Sequence, residues 1–320
     1  SASFASPNVA YSGNAVVSQA ITISGLTLSG TSAGNYTLVQ PSATGTINPL
    51  TITIAASSNG KAYDGNATAP VSLTTSNAIA LADIASNALT VSYGSSNFSS
   101  VNVLLSNGTP VAQAITVSGI TLSGTAAKNY AFNTSAGTSG IITPATLTVT
   151  ASNDSKVYGD TSTAGGVTYI AGVATGSVGY TVSGLIGSDA ITAVTLTSAG
   201  GSAAATVGTA SIVPSAAQGV GDNYSIAYNN GSLTTTKAVL TITAAASNKS
   251  YDASTSYDTS SNALSTYINL AIAGIKNAET ISATATSAAF ASANVGNAIP
   301  VSISGITLSG TTASNYLFNT

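Results

Sequence analysis

The chain of 320 residues contains no His, Cys, Met, Trp or Arg, which removes the usual acid–base group of neutral pH and the nitrogen and sulfur ligands of transition-metal sites. Charged residues are 5% of the chain and hydrophobic residues 44%, so cores can form while the surface is left to hydroxyl and amide groups; an ordinary domain is about 25% charged. A formal charge of −3 with no basic run argues against nucleic acid, and the absence of a long apolar stretch argues against a membrane span or signal peptide in this window.

In chain order, Phe4-Ala5-Ser6-Pro7-Asn8-Val9 comes first and returns as Phe98-Ser99-Ser100-Val101-Asn102-Val103 and Phe290-Ala291-Ser292-Ala293-Asn294-Val295. The chain is therefore expected to begin in the middle of a repeat. Next, Ile21-Thr22-Ile23-Ser24-Gly25-Leu26-Thr27-Leu28-Ser29-Gly30 alternates aliphatic and hydroxyl residues, as do Ile115 to Gly124 and Ile303 to Gly310. Period 2 predicts a half-buried strand. The aliphatic positions change parity across Ser24-Gly25, so a bulge or turn is expected there, with glycine supplying the backbone freedom.

An Asn-Tyr marker follows each such stretch, and its tyrosines, Tyr36, Tyr130, Tyr224 and Tyr316, are 94, 94 and 92 residues apart. After the junction Ile47-Asn48-Pro49-Leu50 comes a second alternation, Leu50-Thr51-Ile52-Thr53-Ile54, repeated at Leu147 to Thr150 and Leu240 to Thr243. It leads into a second marker: Lys61-Ala62-Tyr63-Asp64, then Lys156-Val157-Tyr158-Gly159-Asp160, then Lys249-Ser250-Tyr251-Asp252. Residues two apart on a strand share a face, which groups Lys61 with Tyr63. Asp64, Asp160 and Asp252 are expected to accept turn N–H groups.

Short strands with turn residues every eight to twelve positions, in periods near ninety residues, predict an all-β chain of tandem immunoglobulin-like antiparallel β-sandwiches with very little helix. The expected divisions are 1–49, the C-terminal part of a truncated repeat; 50–143 and 144–236, complete repeats; and 237–320, a repeat lacking its closing strand. Pro49 and Pro144 stiffen junctions with almost no linker, so the repeats are expected to stack end to end in an elongated rod. At a unit advance of roughly 35–45 Å, set by strands near ten residues at about 3.3 Å each plus loops, the window would span about 120–150 Å.

Lys-x-Tyr-Asp-Gly, then Gly-Ile-Thr-Leu-Ser-Gly, Asn-Tyr and a closing Ile-x-Pro together resemble the YDG-type and MBG-type bacterial immunoglobulin-like repeats of large adhesins related to filamentous haemagglutinin. Tyr158-Gly159-Asp160 is nearer the MBG pattern, and Tyr251-Asp252-Ala253 lacks the glycine. The resemblance implies an exported bacterial surface fibre in which such repeats are spacers. The lack of Cys in so long a β-rich chain fits export through a membrane pore in the unfolded state.

Other patterns are weaker. Gly30-Thr31-Ser32-Ala33-Gly34 has the spacing of a nucleophile elbow, but that chemistry needs a His partner and there is none. Ser58-Asn59-Gly60-Lys61 fits Ser-x-x-Lys, yet Asn153 and Ala246 replace Ser58 in the other copies. The chain is accordingly read as no enzyme, with no cofactor. Asp154/Asp160 and Asp252/Asp258 recur six apart and could give at most a weak calcium site, since calcium takes about six to eight oxygens. Asn35-Tyr36-Thr37, Asn66-Ala67-Thr68 and Asn223-Tyr224-Ser225 are glycosylation triplets of a kind that Asn- and Ser/Thr-rich chains make by chance. Lys61, Tyr63, Asp64, Lys156, Tyr158, Asp160, Lys249, Tyr251 and Asp252, with Tyr36, Tyr130, Tyr224 and Tyr316, are read as structural markers. Expected partners are neighbouring repeats of the same longer chain. The rival to the spacer reading is a self-assembling filament, with strands pairing laterally or end to end.

Overall fold

In the computed structural model the described residues are 1–75, 83, 88–162, 165–170 (backbone alone) and 179–319. The chain divides into two units, Ser1–Ala145 with Asp222–Tyr224, and Thr146–Gly221 with Ser225–Thr320. Both are built from β-strands. Four three-residue 3-10 turns, Ala33–Asn35, Ala127–Asn129, Gly221–Asn223 and Ala313–Asn315, end on the Asn of an Asn-Tyr marker.

In the first unit the same three-stranded antiparallel sheet occurs twice. Ala2–Phe4, Gln19–Ile23 and Ser42–Gly45 form one copy; Ser95–Phe98, Gln113–Ser118 and Ser135–Gly140 form the other. In the second copy Gln113, Ile115 and Val117 point inward and the residues between them outward, which is the pleat acting on the alternation seen in sequence. The parity change is a change of sheet. Gln113–Ser118 pairs with Ser95–Phe98, but Thr121–Ser123, two residues on, pairs with Thr90–Ser92 in a different sheet. Gly119 makes the crossing at φ +67° with the backbone of Gly94 3.3 Å from where a Cβ would stand.

The second unit holds a five-stranded sheet in the order Asp154–Val157, Gly231–Thr236, Gly208–Gln218, Ala193–Thr197, Gly165–Ile170, and a three-stranded sheet in which Ala238–Ala246 lies between Ile268–Ala273 and Tyr316–Asn319. Leu147, Val149, Leu196, Ile212, Leu233 and Leu240 are fully buried. Some aliphatics depart from the inward pattern: Leu50 is 44% exposed, whereas Ile52 and Ile54 of the same stretch are buried, and Leu26 and Leu28 are exposed as well, in a stretch that is not a strand.

Pairing is not antiparallel throughout. Leu50–Thr51 runs parallel to Tyr130–Ala131, Lys61–Ala62 to Ile142–Thr143, Asp154–Val157 to Gly231–Thr236, and Ala238–Ala246 to Tyr316–Asn319. Each case joins an opening strand of a repeat to a strand near its close. A chain that enters a sandwich at one end and leaves at the other has first and last strands pointing the same way, and such strands can pair only in parallel, across a long connection.

Candidate functional site

The two markers of the repeat meet, but not within one repeat. In the second unit the ring of Tyr158, from the Lys-x-Tyr marker, packs edge-on against the ring of Tyr316, from the Asn-Tyr marker one period later, with centroids 5.4 Å apart and planes at 84°. Beside them Asn315, at the end of its 3-10 turn, accepts a hydrogen bond from the Val207 N–H at 3.1 Å. The first unit repeats the arrangement. Tyr63 meets Tyr224 at 5.5 Å and 72°, the Val103 N–H donates to Asn223 Oδ1 at 2.9 Å, and Asn223 Nδ2 donates to Asn102 Oδ1 at 3.0 Å. A third copy joins the Val9 N–H to Asn129 Oδ1 at 2.9 Å and Asn129 Nδ2 to Asn8 Oδ1 at 2.9 Å. A plug, the Asn-Tyr turn, thus enters a socket made from the Lys-x-Tyr strand and a valine loop of the preceding period. Edge-to-face rings are worth about 0.5–1.5 kcal/mol beyond the area they bury.

The turn chemistry explains why Asn is the reaching residue. Tyr36, Tyr130 and Tyr316 close their 3-10 turns by backbone N–H bonds alone, and no side chain caps the turn's start. The Asn amide is left to point outward, and its carbonyl oxygen satisfies an N–H of the neighbouring loop that would otherwise be buried without a partner.

Acidic groups complete two plugs. Tyr130 donates to Asp83 Oδ2 at 2.7 Å. Glu279, the only glutamate in the chain, accepts from Tyr316 at 2.7 Å, from Thr312 at 2.8 Å and from Tyr158. Partial burial works to raise the Glu279 pKa, but the hydroxyl donors together outweigh it and hold the carboxyl below its usual range. Burial first, and the bond to Glu279 second, push Tyr316 up to about 12 and raise Tyr158 as well. Asp83 and Glu279 were not singled out from sequence: they precede Tyr130 and Tyr316 by 47 and 37 residues, an interval that does not repeat.

The marker lysines form a clamp behind the socket. Lys249 Nζ donates to Asp252 Oδ1, Ser254 O and Ser256 O, each at 2.7 Å. Lys61 Nζ donates to Asp64 Oδ1 at 2.6 Å and to Asn66 O at 2.7 Å. Both ammonium groups also sit over a phenylalanine, Phe290 and Phe98, at 5.9 and 5.8 Å from the ring centre, a cation–π distance. Lys156 instead reaches two carbonyls, Ser202 O at 2.6 Å and Asp160 O at 3.1 Å, and burial lowers its pKa against the opposing charge of Asp160. Asp64 and Asp252 each also accept a turn N–H, from Asn66 and Ser254, while the Asp160 carboxylate pairs with Lys276 at 3.3 Å. Replacing Lys249 with Met should lower the melting temperature of the second unit through loss of about 1–3 kcal/mol of charged hydrogen bonding; an unchanged melt would show the clamp to be decorative.

The oxygens weighed for calcium are already engaged. Asp252 belongs to the lysine clamp, Asp160 to Lys276, Asp258 to the Ser260 N–H, and Asp154 to the Ser162 hydroxyl. Among the described residues no group of three or more His, Cys, Asp or Glu side chains could hold a metal ion. Addition of EDTA is expected to shift the melting temperature by less than about ten degrees, a larger fall corresponding to more than about 1 kcal/mol for repeats of this size. Ser58 locks a turn, donating to Pro70 O and accepting from the Gly60 N–H. Ser32 precedes the 3-10 turn at Ala33–Asn35.

The marker tyrosines fall into two classes. Tyr63, Tyr130, Tyr158, Tyr224 and Tyr316 are buried, while Tyr36 and Tyr251 are 71% and 65% exposed. Chemically, the joints offer rings and amides, with a carboxylate beside Tyr130 and another beside Tyr316.

No helix of the described residues is long and apolar enough to cross a membrane. A comparison with curated proteins finds no match. Family models do match: the YDG domain over residues 46–138 and 235–320, and the MBG domain (YGX type) over 147–234. Both are domains of bacterial surface proteins. With its markers in these stretches and a plug and socket shared by both types, the chain belongs to the YDG domain family, with an MBG domain set between two YDG domains.

Proposed function

We propose that the chain is a spacer segment of a large extracellular bacterial adhesin or fibre protein, of the kind related to filamentous haemagglutinin, holding a binding region away from the cell surface and catalysing no reaction. The observation that carries this reading is the recurrent joint: Tyr158 on Tyr316 with Asn315 on Val207, and Tyr63 on Tyr224 with Asn223 on Val103. Residues that recur with each period serve to couple repeats rather than to bind a ligand. A surface of hydroxyl and amide groups, with 5% charged residues, supports the same reading, since its contacts depend little on salt.

The reading calls for a long particle. Solution scattering from the chain at low concentration should give a maximum dimension of about 120–150 Å, from the rise per strand residue. A value near 50 Å, about what the same residues would occupy as one compact domain, would replace the spacer with a compact binding module.

A further inference from the structure

The chain holds three Asn-Gly pairs, Asn59-Gly60, Asn107-Gly108 and Asn230-Gly231, and the structure treats them differently. Such a pair can react with itself, because the glycine nitrogen reaches the asparagine amide and glycine carries no side chain to hinder the approach. Gly60 is restrained: its N–H donates to Ser58 Oγ at 3.2 Å, and a Cβ placed on it would stand 2.1 Å from the Ile141 carbonyl oxygen. Gly231 is buried in the strand Gly231–Thr236, opposite Ile212 and close against the Ser152 carbonyl. Asn107-Gly108 has neither restraint. It is the tip of a hairpin in which Leu105 faces Pro110 and Ser106 faces Thr109, and its φ angles of 51° and 76° are the left-handed pair of a two-residue type I′ turn. Both residues are exposed, and a Cβ on Gly108 would meet nothing within 4 Å. Among the described residues neither the Asn107 amide nor the Gly108 N–H has a hydrogen-bond partner.

We infer that Asn107 is a site of spontaneous covalent modification, converting to aspartate and isoaspartate in the folded chain. The Gly108 nitrogen gives its proton to solvent base and bonds to Asn107 Cγ; the Cγ–Nδ2 bond breaks, and Nδ2 leaves as ammonia. Water then opens the cyclic imide. Attack at Cγ leaves aspartate, and attack at the main-chain carbonyl leaves isoaspartate, whose chain continues through Cβ and Cγ. Nothing is oxidised or reduced, and water is the only co-reactant. Either product adds one negative charge to a chain whose formal charge is −3. Isoaspartate also lengthens the main chain by one carbon, for which a turn that fixes Ser106 opposite Thr109 has no slack. The hairpin is tied to a joint: the Val111 N–H closes its base on Leu104 O at 2.9 Å, and the adjacent Val103 donates its N–H to Asn223. In the first repeat the matching hairpin, Tyr11–Ser12 with Ala15–Val16, carries the turn in the order Gly13-Asn14, so that Asn14 is followed by alanine and the same attack is hindered.

The experiment compares the folded chain with the same chain in urea. Incubated folded at mildly alkaline pH, the full chain should gain the mass of an amide turned to an acid, and mass spectrometry of its peptides should place the change at Asn107 at least about tenfold faster than at Asn59 or Asn230, which react only when their surroundings open. In urea those surroundings are gone, and the three sites should convert within about threefold of one another. The double variant Asn107→Gly with Gly108→Asn copies the turn order of the first repeat and should lose the fast conversion, while circular dichroism and an unchanged melting temperature verify its fold. No conversion at Asn107 in the folded chain, or equal rates at the three sites there, would overturn the inference. So would a tenfold preference for Asn107 that persists in urea, since neighbouring residues and not the exposed turn would then select the site.

Discussion

Replacing Tyr158 with Ala should lower the stability of the second unit by about 3–5 kcal/mol, the range for removing a fully buried aromatic side chain, while the same replacement at Tyr251 should change it by less than about 0.5 kcal/mol. The two residues hold the same position in successive repeats, so sequence alone treats them as equivalent. What separates them is occupancy of the socket. Tyr158 is 1% exposed, with its ring against Tyr316 and its hydroxyl on Glu279, and Tyr251 is 65% exposed. Tyr158→Phe would keep the ring and lose the hydroxyl bond, which places it between them, near 1–3 kcal/mol for a hydrogen bond to a charged group. Urea unfolding monitored by tyrosine fluorescence would order the three variants. Equal effects at positions 158 and 251 would mean that the joint contributes nothing.

Glu279→Ala should cost about 2–4 kcal/mol at neutral pH, several charged hydrogen bonds of about 1.5–3 kcal/mol each being discounted because the carboxylate is only partly buried. Its sharper signature is the pH dependence of stability. The Glu279 carboxyl titrates lower in the folded chain than in the unfolded one, so its contribution is full above the unfolded value, near 4.3, and is lost as pH falls through the lower folded value. Tyr316 behaves in the opposite sense. Its folded value of about 12 lies above the unfolded value near 10, so the stability it contributes is full below pH 10 and declines between about 10 and 12. Removing Glu279 should flatten the acid limb, and weaken the alkaline limb only in part, because burial is the larger cause of the Tyr316 shift. Melting temperatures between pH 3 and 12 for both proteins would show whether the acid limb belongs to Glu279.

Much of this architecture is legible in the sequence. Alternation puts Leu147 to Thr150 and Ile115 to Gly124 in strands, because a pleat with one wet face leaves a period of two; the structure makes them Ala145–Ala151, and Gln113–Ser118 with Thr121–Ser123. The parity break read at Ser24-Gly25 is visible too, but not its meaning: at the equivalent Ser118-Gly119 the chain leaves one sheet for another, and pairing partners are not encoded locally. The same limit hid the parallel pairs, since the register of Leu50 with Tyr130 depends on where the repeat closes, eighty residues later. The markers were plain as recurrent residues, yet their meeting was not. Tyr63 finds its ring partner in Tyr224, and no rule of spacing inside one period leads there. Glu279 could have been noticed as the chain's single glutamate, but nothing about its neighbours connects it with a tyrosine 37 residues on.

The offset in the joint has a consequence for how such proteins change over time. Because every period carries one plug and one socket of the same make, any repeat can follow any other: the MBG domain supplies Asn223 and Tyr224 to one partner and receives Asn315 and Tyr316 from another. Unequal recombination between neighbouring repeats would therefore delete or duplicate whole periods and still leave matched couplings at every seam. On the proposed spacer reading, length would then change in steps of one repeat.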